Sequence, residues 1–389
     1  VIRFVWIAAA AFAALYVALD FNKLHALYYG FDNGIFLQTL AHIGHDGSAF
    51  NWAEGKSHWF VHDSWIVAVL VPFVKIWPYQ ETLIVAQVLL IAGSAVALYA
   101  FARCIGVAEL PSLLLSLAYL ISPSVQGFAY NDFSEGHFEP LLIFLLAIAV
   151  ARRNLLWSLV CAQLLLGVKE DIAAFLVWFG IAGAVWYDRR IGIGVAALAA
   201  LNGIVYHALL AMHGQHASIP PYKPYVLYPP QDVAFLIEIL APFAFAPLFL
   251  RWRMLLALPL LAELFMAMNR DGFPLARAGT HYTEPLIALC AIGAAVAMRE
   301  RPALAKWALT LSVLMALFFN TTVLHFGRHL YATEDAAYRR ARALVREQRP
   351  IAFTADDQSL WAAAAGDLRA RIYGFGGPLH RERPAWNTQ

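Results

Sequence analysis

Charge is what this chain has least of. Asp, Glu, Lys and Arg supply 14% of its 389 residues, where a soluble domain carries about 25%. Apolar residues reach 61%, above the usual level of about 45–50%. A soluble core of this length cannot absorb that surplus, so the surplus faces lipid and the chain reads as an all-α polytopic membrane protein. Charge of one sign is lacking too. A net charge of +2 leaves no basic stripe for nucleic acid. Cysteine is equally sparse: Cys104, Cys161 and Cys290 lie in or beside apolar runs, which excludes a disulfide-stapled exterior and a Cys-ligated metal. There is no Walker A motif, dinucleotide fingerprint or nucleophile elbow, so nothing supports a nucleotide-driven pump.

What is present is a succession of apolar runs. A bilayer core of about 30 Å takes about 20 helical residues. Eleven segments meet that test, some loosely: 3–19, 82–102, 108–125, 138–151, 155–168, 172–187, 191–212, 232–250, 254–268, 284–298 and 303–324. No small-residue cleavage site follows the first before Phe21-Asn22-Lys23, so it reads as a retained span rather than a signal peptide. Arg103, Arg152-Arg153, Arg189-Arg190, Arg251 with Arg253, and Arg299 with Arg301 fall in every second short loop. The positive-inside rule makes these loops cytoplasmic. Segments 20–81, 126–137, 169–171, 213–231, 269–283 and the tail are then extracytoplasmic. Residues 64–77 are too short to cross and read as an interfacial helix in the first external loop. The expected organisation is a transmembrane domain over 1–325, with that loop at 20–81, and a small extracytoplasmic α/β module over 326–389.

With sides assigned, nearly all carboxylates and histidines collect outside. Asp32 opens a stretch with Asn33 and Gly34 that also suits a turn. His58 and His62, with Asp63, have the types and spacing of zinc ligands, although an amphipathic helix explains the spacing equally. Asp132, Glu135, His137 and Glu139 form a dense run, and Asp132, Glu135 and Glu139 also fit a solvated helix start. Lys169-Glu170-Asp171 sits between two apolar runs with almost no loop around it, where carboxylates are costly unless they reach water, a cation or a cavity. Glu238 and Glu263 lie inside runs and mark a wet cavity. Arg270, Arg277 and His281, with Tyr282 beside them, supply donors suited to phosphate, although snorkelling to lipid head groups explains the cations equally. Tyr222 and Tyr225 stand in a proline-rich extended loop, able to stack on a sugar or to sit in an interfacial belt.

Several of these stretches resemble one family. They are Phe31-Asp32-Asn33-Gly34-Ile35-Phe36-Leu37-Gln38, Gln87 at the start of an apolar run, His137-Phe138-Glu139, Lys169-Glu170-Asp171, His281-Tyr282 and Arg371-Ile372-Tyr373-Gly374-Phe375. Together they resemble a prokaryotic family of polytopic membrane proteins with a domain of unknown function, itself similar to the GT-C glycosyltransferases. That resemblance implies transfer of a sugar from a polyprenyl-phosphate or polyprenyl-diphosphate carrier at the outer face of the membrane, here the plasma membrane; it fixes neither the donor sugar nor the acceptor, which is expected to be a glycan, lipid or protein. It also implies a functional acid just after span 1, where Asp32 stands, and further acids from a later external loop, among Asp132, Glu135, Glu170 and Asp171. No clean Asp-x-Asp occurs in these loops, a departure that leaves a metal requirement open.

The expected chemistry follows from these residues. Asp32 is the first choice of general base, with Glu170 and Asp171 as alternatives. Lys169, Arg270, Arg277 and His281 would hold the donor phosphate. Asp132, Glu135, His137, Glu139, Tyr282, Tyr222 and Tyr225 would contact sugar or acceptor. A divalent cation, Mg or Mn, would sit on Asp32, Asp132 and Glu135, or alternatively on His58, His62 and Asp63. A transporter or flippase using Glu238 and Glu263 is the competing reading.

Overall fold

The computed structural model describes residues 1–215, 229–267, 275–277, 279–318, 330–347, 351–354 and 358–373. The chain is mostly helical and divides into two compact units. Unit 1 takes Val1–Tyr16, Val88–Asn131 and Glu135–Arg328; unit 2 takes Val17–Gln87, Asp132–Ser134 and His329–Gln389.

The apolar runs become α1 (Ile2–His25), then, after α2 (Phe31–Asp46) and α3 (Val71–Ile76), α4 (Gln80–Cys104), α5 (Glu109–Ile121), α6 (Pro123–Tyr130), α7 (Glu139–Ala151), α8 (Leu155–Leu166), α9 (Asp171–Trp186) and α10 (Arg189–Met212). They continue as α11 (Pro229–Leu240), α12 (Leu258–Met266), α13 (Glu284–Glu300) and α14 (Leu304–Phe318). Among the described residues, four helical stretches qualify as spans by length and composition: α1, α4, α10 and 281–300. The number is six if each of two bent pairs counts once. The eleven expected spans, several of them on short runs, go beyond these numbers. At 1.5 Å per residue, α8 with 12 residues reaches about 18 Å, short of a core of about 30 Å.

Both bends have local causes. Pro123 opens α6 directly after α5 and turns the axis by 52°, because proline cannot donate into the preceding turn. Runs 232–250 and 254–268 were expected to part at Arg251–Arg253. Instead the 115° bend falls where Ala244 and Phe245 both take left-handed conformations. The following stretch, Ala246–Ala257, is 3-10 helix interrupted at Arg251 (φ 54°, ψ −124°).

Unit 1 is stitched by a few buried hydroxyls. Ser312 on α14 donates to the carbonyls of Ala118 and Pro242 at 2.9 and 3.0 Å. Tyr16 donates to Gln126 Oε1 at 2.8 Å. α9 and α10 approach so closely that a Cβ on Gly192 would lie 2.1 Å from the Ala184 nitrogen, the small-residue contact typical of membrane helices. Large apolar side chains on α1 (Phe4, Ile7) and α10 (Leu201, Ile204, Val205) point outward, a face that suits lipid rather than water.

Unit 2 gathers the first loop and the tail. A short antiparallel pair, β1 (Phe50–Asn51) and β2 (Lys56–Ser57), precedes the 3-10 turn Trp65–Leu70 and α3. This segment exposes Val69, Phe73, Ile76 and Trp77, the residues expected of an interfacial helix at 64–77. The tail contributes α15 (Asp335–Glu347), then β3 (Ile351–Thr354), α16 (Gln358–Ala364) and β4 (Ala370–Tyr373), with the two strands parallel. Tyr338, Ala341 and Ala363 share one core with Leu24, Tyr29 and Ile84. Gln38 donates to the Ala370 carbonyl at 2.8 Å and accepts from the Trp52 amide at 2.8 Å. Gln80 donates to the Ala362 carbonyl at 2.6 Å. Trp361 is fully buried over Gly34, where a Cβ would meet its ring at 2.2 Å. The tail is thus built into the unit formed by the first loop, in place of the linear division at 325.

That shared core constrains the path through the membrane. Described residues of the first loop and of the tail share this core, so the two segments lie on one side of the membrane.

Candidate functional site

The polar site of unit 1 starts where α6 ends. Asn131 leaves the helix in extended conformation and its amide donates to the Gly279 carbonyl at 2.5 Å. Gly127 and Gly279 touch backbone to backbone: a Cβ on Gly127 would lie 2.6 Å from the Gly279 Cα, and Gly279 has φ +80°. Residues Glu135–Phe138 then form a 3-10 turn into α7, with Pro140 in the first turn of that helix. Glu135, His137 and Glu139 are all buried.

His137 Nδ1 lies 2.5 Å from Glu284 Oε1, and both side chains are fully excluded from solvent. Glu284 enters α13 through the turn that carries His281 and Tyr282, whose rings lie 4.0 Å apart. The third strand of the site is the tight connection from α8 to α9. There Lys169 Nζ is 3.7 Å from Asp171 Oδ2 and 4.9 Å from the Tyr282 ring centre.

Lys169 is the cation at the centre of these acids. Burial works to lower its pKa, but the charges of Asp171, Glu135 and Glu170 outweigh burial and hold it well above the usual lysine value. Glu263 on α12 lies within electrostatic reach of Asp171, Lys169 and Glu170, and Glu139 within reach of Asp171, Glu284, Lys169 and Glu135. Glu139 Oε2, Asp171 Oδ1 and Glu284 Oε2 are buried without a hydrogen-bond partner. Buried carboxylate oxygens left in this way call for a proton, a cation or a ligand donor.

Unit 2 holds a second, smaller cluster. Lys23 Nζ is 3.9 Å from Asp132 Oδ1 and 4.4 Å over the Tyr29 ring. Asp20, wholly buried one turn earlier on α1, interacts with Lys23, Tyr29 and Asp132. Gly30 leaves room for Asp132, since a Cβ there would come 2.6 Å from Oδ2. Asn33 Oδ1 accepts from the Phe133 amide at 2.8 Å.

The sequence candidates are therefore distributed unevenly. Glu135, His137, Glu139, Lys169, Glu170, Asp171, His281 and Tyr282 converge in unit 1. Asp132 joins the Lys23 cluster. Asp32 is exposed in the first turn of α2, and Arg277 is exposed beside Thr280. Arg270, Tyr222 and Tyr225 lie outside the described residues.

Neither proposed metal trio is assembled: among the described residues no three His, Cys, Asp or Glu side chains are grouped to hold an ion. In the His58, His62 and Asp63 set, Nδ1 of His58 turns instead to Glu54 at 2.9 Å, and Asn51 donates to the same carboxylate at 2.6 Å. Burial acts to raise the Glu54 pKa, but the His58 charge and these hydrogen bonds overcome it and hold it below the usual range. In the Asp32, Asp132 and Glu135 set, Asp132 is engaged by Lys23.

Sequence reasoning passed over Asp20, Lys23 and Glu54, and left Glu284 in a segment without a role. The available signals were an acid at the end of the first apolar run and an acid opening the run at 284.

None of the curated proteins compared matches the chain. A family model described as predicted membrane protein (DUF2079) matches residues 23–220, a range that includes Lys23, Asp132, the Glu135–Glu139 turn and Lys169–Asp171. With half of its length matched, the chain belongs to this membrane-protein family.

Proposed function

We propose that the protein is a GT-C-like glycosyltransferase acting at the extracytoplasmic face of the plasma membrane. It moves a sugar from a polyprenyl-phosphate-linked donor to a glycan, lipid or protein acceptor. The observation that carries this reading is the half-buried Lys169 among Glu135, Glu170 and Asp171, with an unpartnered carboxylate oxygen on Asp171. In this reading all eleven apolar segments cross, the short ones shielded by their neighbours. Ten crossings then separate residues 79 and 330, an even number as the shared core of unit 2 requires.

The transfer needs a base and a cation. The acceptor oxygen attacks the anomeric carbon, its proton passes to Asp171, and the bond to the donor phosphate oxygen breaks with inversion. Lys169 offsets the charge gathering on the departing polyprenyl phosphate, with His281 and Arg277 as further donors. Asp32 on the first external loop is the alternative base. Glu263 beside Asp171 and Lys169 favours one competing reading, a proton-coupled transporter or flippase, because intramembrane carboxylates commonly relay protons.

The test is an assay of purified protein with radiolabelled polyprenyl-phosphate sugars. Wild type should turn over, with Asp171→Asn and Lys169→Met each lowering kcat by at least about 100-fold. Loss in Asp32→Asn instead moves the base to unit 2. No turnover with any lipid-linked donor, together with flux of lipid-linked sugar across liposomes that stops in Glu263→Gln, replaces the transferase with the transporter.

A further inference from the structure

A cavity at another part of unit 1 is unconnected with this reading. It is lined by Phe249, Arg251, Trp252, Arg253, Glu300 and Arg301, residues of the irregular stretch 246–257 and of the C-terminal end of α13. Its volume is about 200 Å³, enough for a phosphate group and the glycerol attached to it.

Three features mark it as built rather than incidental. First, three guanidinium groups face one carboxylate, so the cavity carries a net positive charge and presents planar forks that match phosphate oxygens. Second, Arg251 is held at φ 54°, ψ −124°, a conformation that costs a non-glycine residue energy and persists only where surrounding structure imposes it. Third, the residues on both sides of Arg251 are packed in place. Trp178 donates to the Leu255 carbonyl at 2.7 Å, and Trp186 meets the Trp252 ring edge-on at 4.4 Å. Gly293 on α13 admits Pro247 and Leu250 to within 3.2 Å of where a Cβ would stand.

The walls also sort the ligand. The Arg301 guanidinium lies 4.1 Å over the Phe249 ring and that of Arg253 5.6 Å from the Trp252 ring, so both cations are oriented by aromatic faces. Beside them Leu248, Phe249, Trp252 and Leu255 are exposed and offer an apolar flank. A free anion makes no use of that flank, whereas acyl chains do. In the sequence all of these arginines fall between apolar runs, in segments that the positive-inside rule assigns to the cytoplasmic side, where anionic lipid is plentiful.

We propose that this cavity is a binding site for the phosphate ester of an anionic phospholipid, held by Arg251, Arg253 and Arg301 with its acyl chains along Leu248 and Leu255. Glu300 then accepts from a head-group hydroxyl.

Native mass spectrometry of the full chain in detergent, titrated with phosphatidylglycerol, phosphatidylcholine or inorganic phosphate, tests the proposal. One phosphatidylglycerol should bind saturably, at least tenfold more tightly than phosphatidylcholine, and Arg301→Gln should weaken it at least tenfold. Arg251→Gly is the second variant, since glycine keeps the backbone turn. It should lose the lipid while its unfolding temperature stays equal to or above wild type. Arg189→Gln/Arg190→Gln, on another basic turn, should leave the bound lipid in place. Saturable binding of inorganic phosphate alone, with no preference among lipids, overturns the lipid assignment. Equal loss in the Arg189/Arg190 control overturns the site itself, leaving only general attraction between basic turns and anionic lipid.

Discussion

The buried pair of His137 and Glu284 offers the sharpest perturbation of the candidate site. Both side chains are fully excluded from solvent, at 2.5 Å, and Glu284 Oε2 already lacks a partner. His137→Ala therefore strands a carboxylate, and removing one member of a buried pair costs about 3–5 kcal/mol. Glu284→Gln removes the charge but retains an oxygen that accepts from Nδ1, at a cost of about 1–2 kcal/mol, the difference between a charged and a neutral hydrogen bond. The double variant has no buried charge left to strand. It should be more stable than His137→Ala alone, although simple addition would make it less stable. Pulse proteolysis in detergent across a urea series measures the three losses. A double variant that equals the sum of the singles, or falls below it, refutes the pairing and the burial argument with it.

Three other outcomes follow from unit 2. Glu54→Gln should be less stable than wild type at neutral pH. A carboxylate held below its usual range stabilises the fold above its unfolded pKa of about 4.3 and loses that contribution as pH falls through its folded value. The gap should therefore close below about pH 4, and a gap constant with pH would show that the His58–Glu54 contact carries no charge. Trp361→Ala should cost about 3–5 kcal/mol and expose residues 330–373 to protease while α10 and α13 stay protected; an intact tail would contradict its docking on Gly34. Reporters placed after residue 48 and after residue 329 should report the same side of the membrane. Opposite sides would break the shared core of Leu24, Tyr29, Tyr338 and Ala363.

Much of the helical layout was legible because apolar runs declare themselves in any local window. An α/β tail was legible too: β3, α16 and β4 lie within the module expected over 326–389. The break at Ala244–Phe245 was not, since neither residue signals a left-handed turn and the Arg251–Arg253 pair drew attention away from it. Within the candidate site, Lys169–Asp171 stood out because charge there interrupts apolar sequence on both sides. Asp20 did not, placed at the end of a span where a polar residue ordinarily meets water. In the fold it is wholly buried.

By itself the sequence determined the class: a chain poor in charge and rich in apolar runs must place its surface against lipid, and composition is a sum to which every residue contributes independently. It also set the arginines between alternate apolar runs. Only the tertiary structure decided which scarce charges meet. His137 and Glu284 are 147 residues apart, Lys23 on α1 meets Asp132 from the connection after α6, and His25 pairs with Asp335 at 3.0 Å. Such pairings depend on how helices that are apolar all round choose their neighbours. Small-residue contacts such as Gly192 on Ala184 make that choice, and so do buried hydrogen bonds such as Ser312 to Ala118 and Pro242. Hydrophobic periodicity, which would orient a helix in a soluble protein, has little left to say once lipid and core are equally apolar.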